Sequence, residues 1–412
     1  MSDTGPLARL ARWAADRDRL PTAQRAVLGY YAETGVVDYR ALAVKSEVDD
    51  ILEGILDELY REIEAALRRE FGVDAVSFTY ETKLTLPAEL TLGYLLRRAR
   101  RQATTGYDPV DDTTEAEESL LTAVPRPGGR LDGVAHRQRV NREAETYATE
   151  AREMTAFVVA ALIDGDMRDA INDDEFEDFV VEGDGDAFEG RRRQVATVAQ
   201  SCLQSRVEAG FESYPDAVRA AYDHAVDVSE AHQDEDERFR TLMTAATGTE
   251  EGALDSSEAR AAIETEYKHR PMADDDHPFT ADELDLPYLT TQYDRVGVIY
   301  HGMLEMYRAA GFDIGPAFER SIVFAIIGAQ VWLDDVDDYE ADVDDGQLTP
   351  VTAEYRLHES ERAAFERVVE LSEAYFDRAR SYATEADSTL TGIAVEYILR
   401  SGDVSHLPGA PE

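Results

Sequence analysis

The sequence predicts an all-α fold with one short β element. Residues 48–71 carry apolar side chains at helical spacing and end at Gly72, which is typical of an amphipathic helix. Residues 75–86 alternate between apolar and polar side chains, which predicts a strand or hairpin arm. Beyond residue 141 the periodicity is again helical, and we predict helices at 144–163, 191–211, 215–231, 289–310, 316–345 and 358–384.

The chain is strongly acidic. It has 86 acidic residues against 41 basic ones, a formal net charge of −45, and 412 residues in total. The lysines are Lys45, Lys83 and Lys268, and the other 38 basic residues are arginines. Such a surface repels itself unless high salt shortens the Debye length to about 3 Å. We therefore expect a halophilic protein from a salt-rich cytoplasm.

The same charge argues against several classes of partner. A field this negative does not attract nucleic-acid phosphates or anionic lipids, so a phosphate site has to be built locally from arginines or metal ions. Cys202 is the only cysteine, which excludes an internal disulfide. The chain shows neither the pattern of a signal peptide nor a run of about 20 apolar residues, so we expect a cytoplasmic protein without a transmembrane segment.

The domain organisation is predicted from residues 107–132. This stretch combines an acidic patch with the run Pro-Arg-Pro-Gly-Gly at 125–129, which favours a linker or an exposed loop. We place the main boundary there. Residues 1–131 are then a mostly helical accessory region, and residues 132–412 are an α-helical bundle and the candidate catalytic domain.

The most informative segment begins at Gly315-Pro316. Proline in the first turn starts a helix, and Gly346 ends it about 30 residues later, which corresponds to about 45 Å. Its first half is apolar and its second half is aspartate-rich. Asp334, Asp338 and Asp342 are spaced i, i+4 and i+8, so we predict that they stack on one helix face with Asp335 beside them.

Carboxylates at this spacing repel one another and favour binding of a cation. Mg²⁺ takes one or two carboxylates, keeps water molecules and completes its coordination with phosphate oxygens. The ladder therefore predicts a magnesium site for a phosphate-bearing substrate. The alternative to a metal site is an acidic helix face exposed to solvent, because a chain with 86 acidic residues contains this spacing several times by chance.

Residues 329–350, Ala-Gln-Val-Trp-Leu-Asp-Asp-Val-Asp-Asp-Tyr-Glu-Ala-Asp-Val-Asp-Asp-Gly-Gln-Leu-Thr-Pro, resemble the second aspartate-rich motif of class I isoprenoid synthases. This superfamily includes trans-prenyltransferases, squalene and phytoene synthases, and terpene synthases. Asp334, Asp335 and Asp338 match one form of the motif, and Asp334, Asp338 and Asp342 match the other. The resemblance implies an α-helical bundle of isoprenoid synthase type, with metal motifs on two facing helices at the mouth of an apolar pocket.

A first metal motif is expected on the opposite helix. The best candidate follows the apolar run 157–163, where Asp166 and Asp169 could face the second motif. The same segment has a rival interpretation, because residues 164–175 fit an EF-hand Ca²⁺ loop through Asp164, Asp166 and Glu175.

Basic side chains that could bind a diphosphate are Arg295, Arg356 and Lys268, and similar enzymes place a diphosphate-sensing arginine near the position of Arg295. Ordinary surface ion pairs are the alternative for each. We predict Asp334, Asp338 and Arg295 as catalytic residues of a Mg²⁺-dependent enzyme that acts on an allylic isoprenoid diphosphate. The sequence leaves open whether the protein forms a homodimer. The alternative function is a non-enzymatic halophilic helical protein that binds Ca²⁺ at 164–175.

Overall fold

The structure, a computed structural model, describes residues 6–15, 20–35, 38–81, 83–105, 130–176, 178–183, 188–247, 256–273 and 277–411. The chain divides into two compact units. The middle unit is Tyr39–Tyr214, and the terminal unit joins Met1–Asp38 to Pro215–Glu412. The unit boundaries therefore fall after residues 38 and 214, whereas the sequence suggested one near 131. The predicted linker lies mostly outside the described residues.

The middle unit consists mainly of long helices. They are α3 (Tyr39–Phe71), α4 (Leu86–Thr105), α5 (Arg130–Asp173) and α6 (Arg192–Phe211). Helix α3 packs on α4 and α6, and α5 packs on the same two helices. Leu59, Ile63 and Leu67, on one face of α3, are fully or almost fully buried, as the periodicity of that segment predicts.

The predicted β element is confirmed for part of its length. Strand β1 (Val76–Tyr80) pairs antiparallel with β2 (Phe179–Gly183), with Val76 opposite Gly183. Alternate residues of β1 are buried, and the Phe78 ring stacks on Phe179 at 5.7 Å between centroids. A 3₁₀ turn at Lys83–Thr85 then leads into α4.

In the terminal unit, the described residues form helices and the segments that connect them. Its helices are α1 (Pro6–Ala15), α2 (Thr22–Thr34), α7 (Asp216–Gln233), α8 (Asp236–Thr247), α9 (Ser256–Ala262), α10 (Leu289–Gln292), α11 (Val298–Ala309), α12 (Pro316–Ala329), α13 (Asp335–Asp337), α14 (Tyr339–Asp345), α15 (Pro350–Leu357), α16 (Glu361–Glu385) and α17 (Thr389–Ser401). The all-α prediction is thus confirmed, with one small two-stranded sheet in the described chain.

Two helix pairs form the centre of the terminal unit. Helix α12 packs along α16, and α7 packs along α11. The second pair approaches closely at Gly302, where an added Cβ atom would lie 2.5 Å from the Cβ atom of Ala225. The N-terminal helices belong here because α2 packs on α17, and Arg400 donates a hydrogen bond to the carbonyl of Ala15 at 3.1 Å.

π-helical turns follow three of these helices directly. They are Ile263–Lys268 after α9, Tyr293–Gly297 between α10 and α11, and Gln330–Asp334 after α12. A π-turn inserts an extra residue into the helical repeat, so the side chains beyond it face a different direction. Such turns are frequent at functional sites.

None of the helices in the described ranges combines the length and the apolar character that a membrane span needs.

Candidate functional site

The π-turns of the terminal unit bring Arg295 and Asp335 together. Arg295 lies in the turn Tyr293–Gly297, and Asp335 follows the turn Gln330–Asp334. Nη1 of Arg295 donates a hydrogen bond to Oδ1 of Asp335 at 2.9 Å. Asp335 is only 2% exposed, so this is an ion pair at the protein interior. The charge of Asp335 raises the pKa of Arg295 against the opposing effect of burial, which keeps the guanidinium positive.

A strained residue fixes the start of the helical segment that carries Arg295. Tyr288 precedes α10 and has φ of 65°, a left-handed conformation that is costly for a bulky side chain. Its N–H donates to the carbonyl of Lys268 at 2.6 Å, and its hydroxyl donates to Oε1 of Glu354 at 2.9 Å. Glu354 also forms an ion pair with Lys268 at 3.1 Å. These buried contacts hold Tyr288 in place.

Asp335 has a second carboxylate oxygen that is not satisfied. Its Oδ2 atom is buried and has no hydrogen-bond partner in the described part of the chain. Burial raises the pKa of Asp335 to about 6, and the nearby charge of Asp334 adds to this while Arg295 opposes it. A buried acceptor without a partner is uncommon in folded proteins.

Asp342 shows the same pattern one helix further on. Its Oδ2 atom is buried and also lacks a partner among the residues that the structure describes. Burial raises its pKa to about 7, and the charge of Asp335 contributes next, so the two carboxylates lie close enough to repel each other. A bound cation would reduce the repulsion between the two carboxylates.

A small pocket lies beside Arg295. Its lining includes His232 and Asp236 from α7 and α8, and Tyr267 and Gln347 from the other side. Its volume of about 10 Å³ is room for about one water molecule. The hydroxyl of Tyr267 donates to the carbonyl of Leu348 at 2.8 Å, which closes one wall. The charges of Asp335, Asp236 and Asp342 all act on Tyr267, so these acids surround the same region.

His232 is buried in the pocket wall. It is 6% exposed, and its Nδ1 atom has no hydrogen-bond partner within the described ranges. Burial, together with the charges of Arg295 and Arg270, lowers its pKa to about 4. The ring is therefore neutral at pH 7. Near Arg295, buried polar atoms of His232, Asp335 and Asp342 thus lack partners among the described residues.

The predicted aspartate ladder does not form as a single face. Asp334 and Asp338 are exposed, Asp342 is half-buried and Asp335 is buried. The expected continuous helix of about 30 residues is also wrong, because α12 ends at Ala329, a π-turn follows, and the α-helix is interrupted again at Asp338. Consecutive side chains of a helix point about 100° apart, and here Asp335 is buried while Asp334 is exposed.

The acids at 164–169 occur in the middle unit, while Asp335 and Asp342 are in the terminal unit. Asp164 accepts hydrogen bonds from Arg168 at 2.9 Å and from Gln200 at 3.2 Å, and Asp166 accepts one from the hydroxyl of Tyr80. Asp169 is exposed. The predicted role of Asp166 and Asp169 as metal ligands stays a prediction.

The EF-hand interpretation is wrong in its geometry. An EF-hand loop leaves the helix so that side chains and a carbonyl converge on the ion. Here α5 continues through Gly165 to Asp173, so residues 164–173 are helical. Helical propensity and the packing of α5 on α4 and α6 prevail over the ligand-like spacing.

The other predicted basic residues are placed differently from Arg295. Lys268 is 7% exposed and is held by Glu354, so it belongs to the network around Tyr288. Arg356, on α15, is half-buried and lies near Tyr339, whose pKa is raised by burial and lowered by the Arg356 charge. Of the three, Arg295 is the one that lines the small pocket.

A separate cluster joins α11 and α12. Ligand atoms of His301, Glu305 and Glu319 lie within 4.8 Å of one another, the one such group of three found among the described residues. However, Arg308 donates to both glutamates, at 2.6 Å to Glu319. Hydrogen bonds to Glu305 and Glu319 outweigh burial and raise the pKa of His301 to about 9, so the imidazole ring is positively charged at pH 7 and has no lone pair for a metal ion. This cluster is a balanced ion-pair network.

Sequence reasoning missed Asp236, and for His232 it favoured a solvent-facing ring over a metal ligand, whereas the ring is buried. The signal was available in part, because the acidic run 234–237 follows the helical pattern of 215–231. In a chain so rich in acids this run was not distinctive. Only the fold shows that α7 and α8 bring His232 and Asp236 to the pocket of Arg295.

Comparison of the chain with models of known protein families, with curated proteins and with solved structures finds no match in any of the three.

Proposed function

We propose that the terminal unit is a Mg²⁺-dependent enzyme of the class I isoprenoid synthase type, acting on an allylic isoprenoid diphosphate. The observation that carries the proposal is the buried Oδ2 atom of Asp335, which has no partner in the described structure and belongs to a carboxylate already paired with Arg295. A cation and a phosphate are the two ligands that such a pair can take together.

The available donors fit Mg²⁺. Asp335 and Asp342 each offer a buried oxygen without a described partner, and the charges of the two groups interact. Mg²⁺ prefers oxygen ligands and is commonly held by one or two carboxylates, with water and substrate phosphate at its other positions. When bound, it would neutralise negative charge that develops on a departing diphosphate.

The chain's own residues would supply the rest of the site. Arg295 is a permanent cation with a planar set of donors, which suits a phosphate oxygen. His232 and Asp236 line the small pocket on one side of Arg295, which has room for about one water molecule. Tyr267 is fully buried and its hydroxyl is engaged, so it would limit the entry of water. Electrostatic stabilisation of this kind is stronger in a site that excludes water.

The proposal is tested by diphosphate release from farnesyl or geranylgeranyl diphosphate with Mg²⁺ in molar KCl. Asp335 is buried and Asp342 is half-buried, whereas Asp334 and Asp338 are exposed, so the two pairs can be changed separately. We expect Asp335→Asn with Asp342→Asn to reduce the rate by about 100-fold or more, as loss of charge stabilisation commonly does. Asp334→Asn with Asp338→Asn changes exposed residues of the same segment and is expected to have the smaller effect. Full activity of the first double variant would refute the proposal.

The exposure of Asp334 and Asp338 favours one alternative. Two members of the predicted ladder face solvent, as they would in a non-enzymatic scaffold adapted to salt. That alternative predicts no Mg²⁺-dependent diphosphate release from either substrate, and no difference between the two double variants.

A further inference from the structure

The π-turn that contains Arg295 is defined by one backbone hydrogen bond. The turn covers Tyr293–Gly297, and the N–H of Val298 donates to the carbonyl of Tyr293, five residues back instead of the four of a regular α-helix. The turn therefore holds one extra residue. Because each residue of an α-helix contributes about 100°, losing this insertion would rotate the chain on one side of the turn by that angle relative to the other side.

A side-chain hydrogen bond spans this turn. The hydroxyl of Tyr293 lies 2.6 Å from Nδ1 of His301, which is on α11 and eight positions further along the chain. In a regular α-helix, residues seven apart lie almost in line, whereas residues eight apart point about 80° away from each other. The extra residue of the π-turn makes the separation of eight equivalent to one of seven. The hydrogen bond therefore favours the π-turn over a regular helix.

His301 donates this hydrogen bond because its ring is charged at pH 7. Burial opposes the charge, but hydrogen bonds to Glu305 and Glu319 raise the pKa of His301 to about 9. Both nitrogens of the charged imidazole carry a proton, so Nδ1 donates to the hydroxyl of Tyr293 while Nε2 faces Glu319 at 3.1 Å. The ion-pair network between α11 and α12 is thus linked to the π-turn through one tyrosine.

A glycine lets the Tyr293 ring reach His301. A Cβ atom added to Gly297 would lie 3.0 Å from Cδ2 of Tyr293, so the ring runs along the helix over this residue. The same Cβ atom would lie 3.3 Å from Cδ1 of Ile327, on α12. The absence of a side chain at Gly297 therefore also lets α12 approach the turn, and α12 leads through the second π-turn to Asp335.

The Tyr293 ring has little freedom to move. The residue is 4% exposed, and its ring meets Phe279 edge to face at 5.2 Å between centroids. The hydrogen bond to His301 then fixes the hydroxyl end of the ring. Arg295 lies two residues further along the same turn, so the direction of its side chain is tied to that of Tyr293.

We propose that Tyr293 and His301 are positioning residues, whose hydrogen bond holds the π-turn in the register that presents Arg295 to Asp335. Without this bond the turn can revert to a regular helix, which changes the direction of Arg295 relative to α11. Oδ1 of Asp335 would then lose the guanidinium that binds it at 2.9 Å. The inference concerns the ion pair itself, and its consequence for ligand binding rests on the proposed function.

The coupling between Arg295 and Asp335 tests the inference directly. Chemical denaturation of Arg295→Met, Asp335→Asn and their combination measures this coupling, first in the wild-type chain and then in the presence of Tyr293→Phe. Tyr293→Phe keeps the ring and removes only the hydroxyl, so the chain should fold. We expect it to reduce the coupling by about half or more, because an ion pair depends on the distance between its charges. An unchanged coupling would refute the inference.

Two variants of His301 separate its two hydrogen bonds. His301→Gln places an amide near the position of Nε2, so it keeps a donor for Glu319 and loses the one for Tyr293. His301→Asn places the amide near Nδ1 and does the reverse. We expect His301→Gln to reduce the coupling as Tyr293→Phe does, and His301→Asn to reduce it less. The opposite order would contradict a role through Tyr293.

A matched control distinguishes positioning from general stabilisation. Tyr382→Phe also removes a tyrosine hydroxyl from the terminal unit, where it donates to Oε1 of Glu283 at 2.5 Å. This change should lower the free energy of unfolding but leave the coupling between Arg295 and Asp335 as it is. Equal reduction of the coupling by Tyr382→Phe and Tyr293→Phe would show that any loss of stability has this effect, and would refute the inference.

Binding of inorganic pyrophosphate with Mg²⁺ in molar KCl separates this inference from the proposed function. We expect Tyr293→Phe to weaken binding by about 5-fold or more, because Arg295 no longer faces the site, and Tyr382→Phe to leave it unchanged. If the wild-type chain binds no pyrophosphate, the proposed function fails, while a reduced coupling in Tyr293→Phe still supports the positioning role. If the coupling falls but pyrophosphate binds as tightly as before, the consequence for ligand binding is refuted.

Discussion

Arg295 pairs with the buried carboxylate of Asp335, of which only one oxygen has a partner among the described residues. The guanidinium binds Oδ1 of Asp335 at 2.9 Å, while Oδ2 is buried and has no partner in the described structure. The two residues are 40 positions apart in the sequence. Their meeting depends on two π-turns, one containing Arg295 and one ending just before Asp335.

The ion pair predicts strong coupling between its two residues. Arg295→Met leaves the Asp335 charge buried without its partner, which should lower the free energy of unfolding by about 3 kcal/mol. Adding Asp335→Asn removes that charge and should restore much of the loss. Chemical denaturation of the two single variants and the double variant measures the coupling. Additive effects would show that the pair does not contribute as described.

Metal binding should depend on the inward-facing aspartates. We expect Asp335→Asn or Asp342→Asn to weaken Mn²⁺ binding, measured by electron paramagnetic resonance, by about 10-fold or more, because each removes a carboxylate ligand. Asp337→Asn and Asp344→Asn change exposed aspartates of the same segment and serve as controls. Equal losses in all four variants would instead indicate diffuse attraction of the cation by the acidic surface.

The cluster between α11 and α12 predicts a defined pH dependence of stability. The pKa of His301 is raised from 6.5 to about 9, so its contribution is complete below pH 6.5 and is lost as the pH rises through 9. The pKa of Glu305 is lowered from 4.5 to about 2, first by its hydrogen bond to His301, so its contribution is complete above pH 4.5 and is lost as the pH falls through 2. The cluster is therefore most stabilising between pH 4.5 and 6.5.

Thermal unfolding from pH 6 to 9.5 tests this contribution. The wild-type chain should lose about 3 kcal/mol at most from His301 over this interval, and His301→Gln should lose less. A second comparison uses burial, since the side chain of Glu319 is 6% exposed and that of Glu305 is 40% exposed. Glu319→Gln should destabilise more than Glu305→Gln, and the reverse order would contradict the assignment of Glu319 to the buried part of the network.

The close approach of α7 and α11 predicts a rescue. Gly302→Ala places a methyl group 2.5 Å from the Cβ atom of Ala225. This overlap should lower the free energy of unfolding by about 1–3 kcal/mol. Ala225→Gly in the same chain should recover part of this loss. Denaturant midpoints give the comparison. If Gly302→Ala is neutral by itself, the two helices are further apart than described.

The net charge of −45 predicts that salt stabilises the fold. Repulsion between carboxylates falls as the Debye length shrinks, so the unfolding temperature should rise steeply between 0.1 and about 3 M KCl. Differential scanning calorimetry over this range measures the effect. An unfolding temperature that does not change with KCl would remove the expectation of salt adaptation.

The sequence located some of the helices well because their apolar periodicity is long and regular. The segments at 191–211 and 215–231 were located to within two residues at each end. The periodicity did not reveal the π-turns, since one inserted residue hardly changes the pattern but rotates every side chain beyond it. Asp335 and Asp342, and not Asp334 and Asp338, are the residues that face the interior.

Contacts between residues far apart in the sequence were the second feature that the sequence did not predict. Nothing in the local pattern shows that α1 and α2 fold with the C-terminal helices, because that depends on α17 packing against α2. The same holds for His232 and Asp236, which reach the site through the packing of α7 and α8. Asp166 matched a motif locally but is held by Tyr80 in the other unit. Spacing identifies candidates, and packing decides which of them meet.

We propose that Asp335, with Asp342 and Arg295, binds a cation and a phosphate together. Titration of inorganic pyrophosphate into the chain, with and without Mg²⁺ in molar KCl, tests it most directly. We predict binding that requires Mg²⁺ and that is lost in Asp335→Asn but kept in Asp337→Asn. Binding of equal strength without the metal, or in Asp335→Asn with it, would contradict the claim.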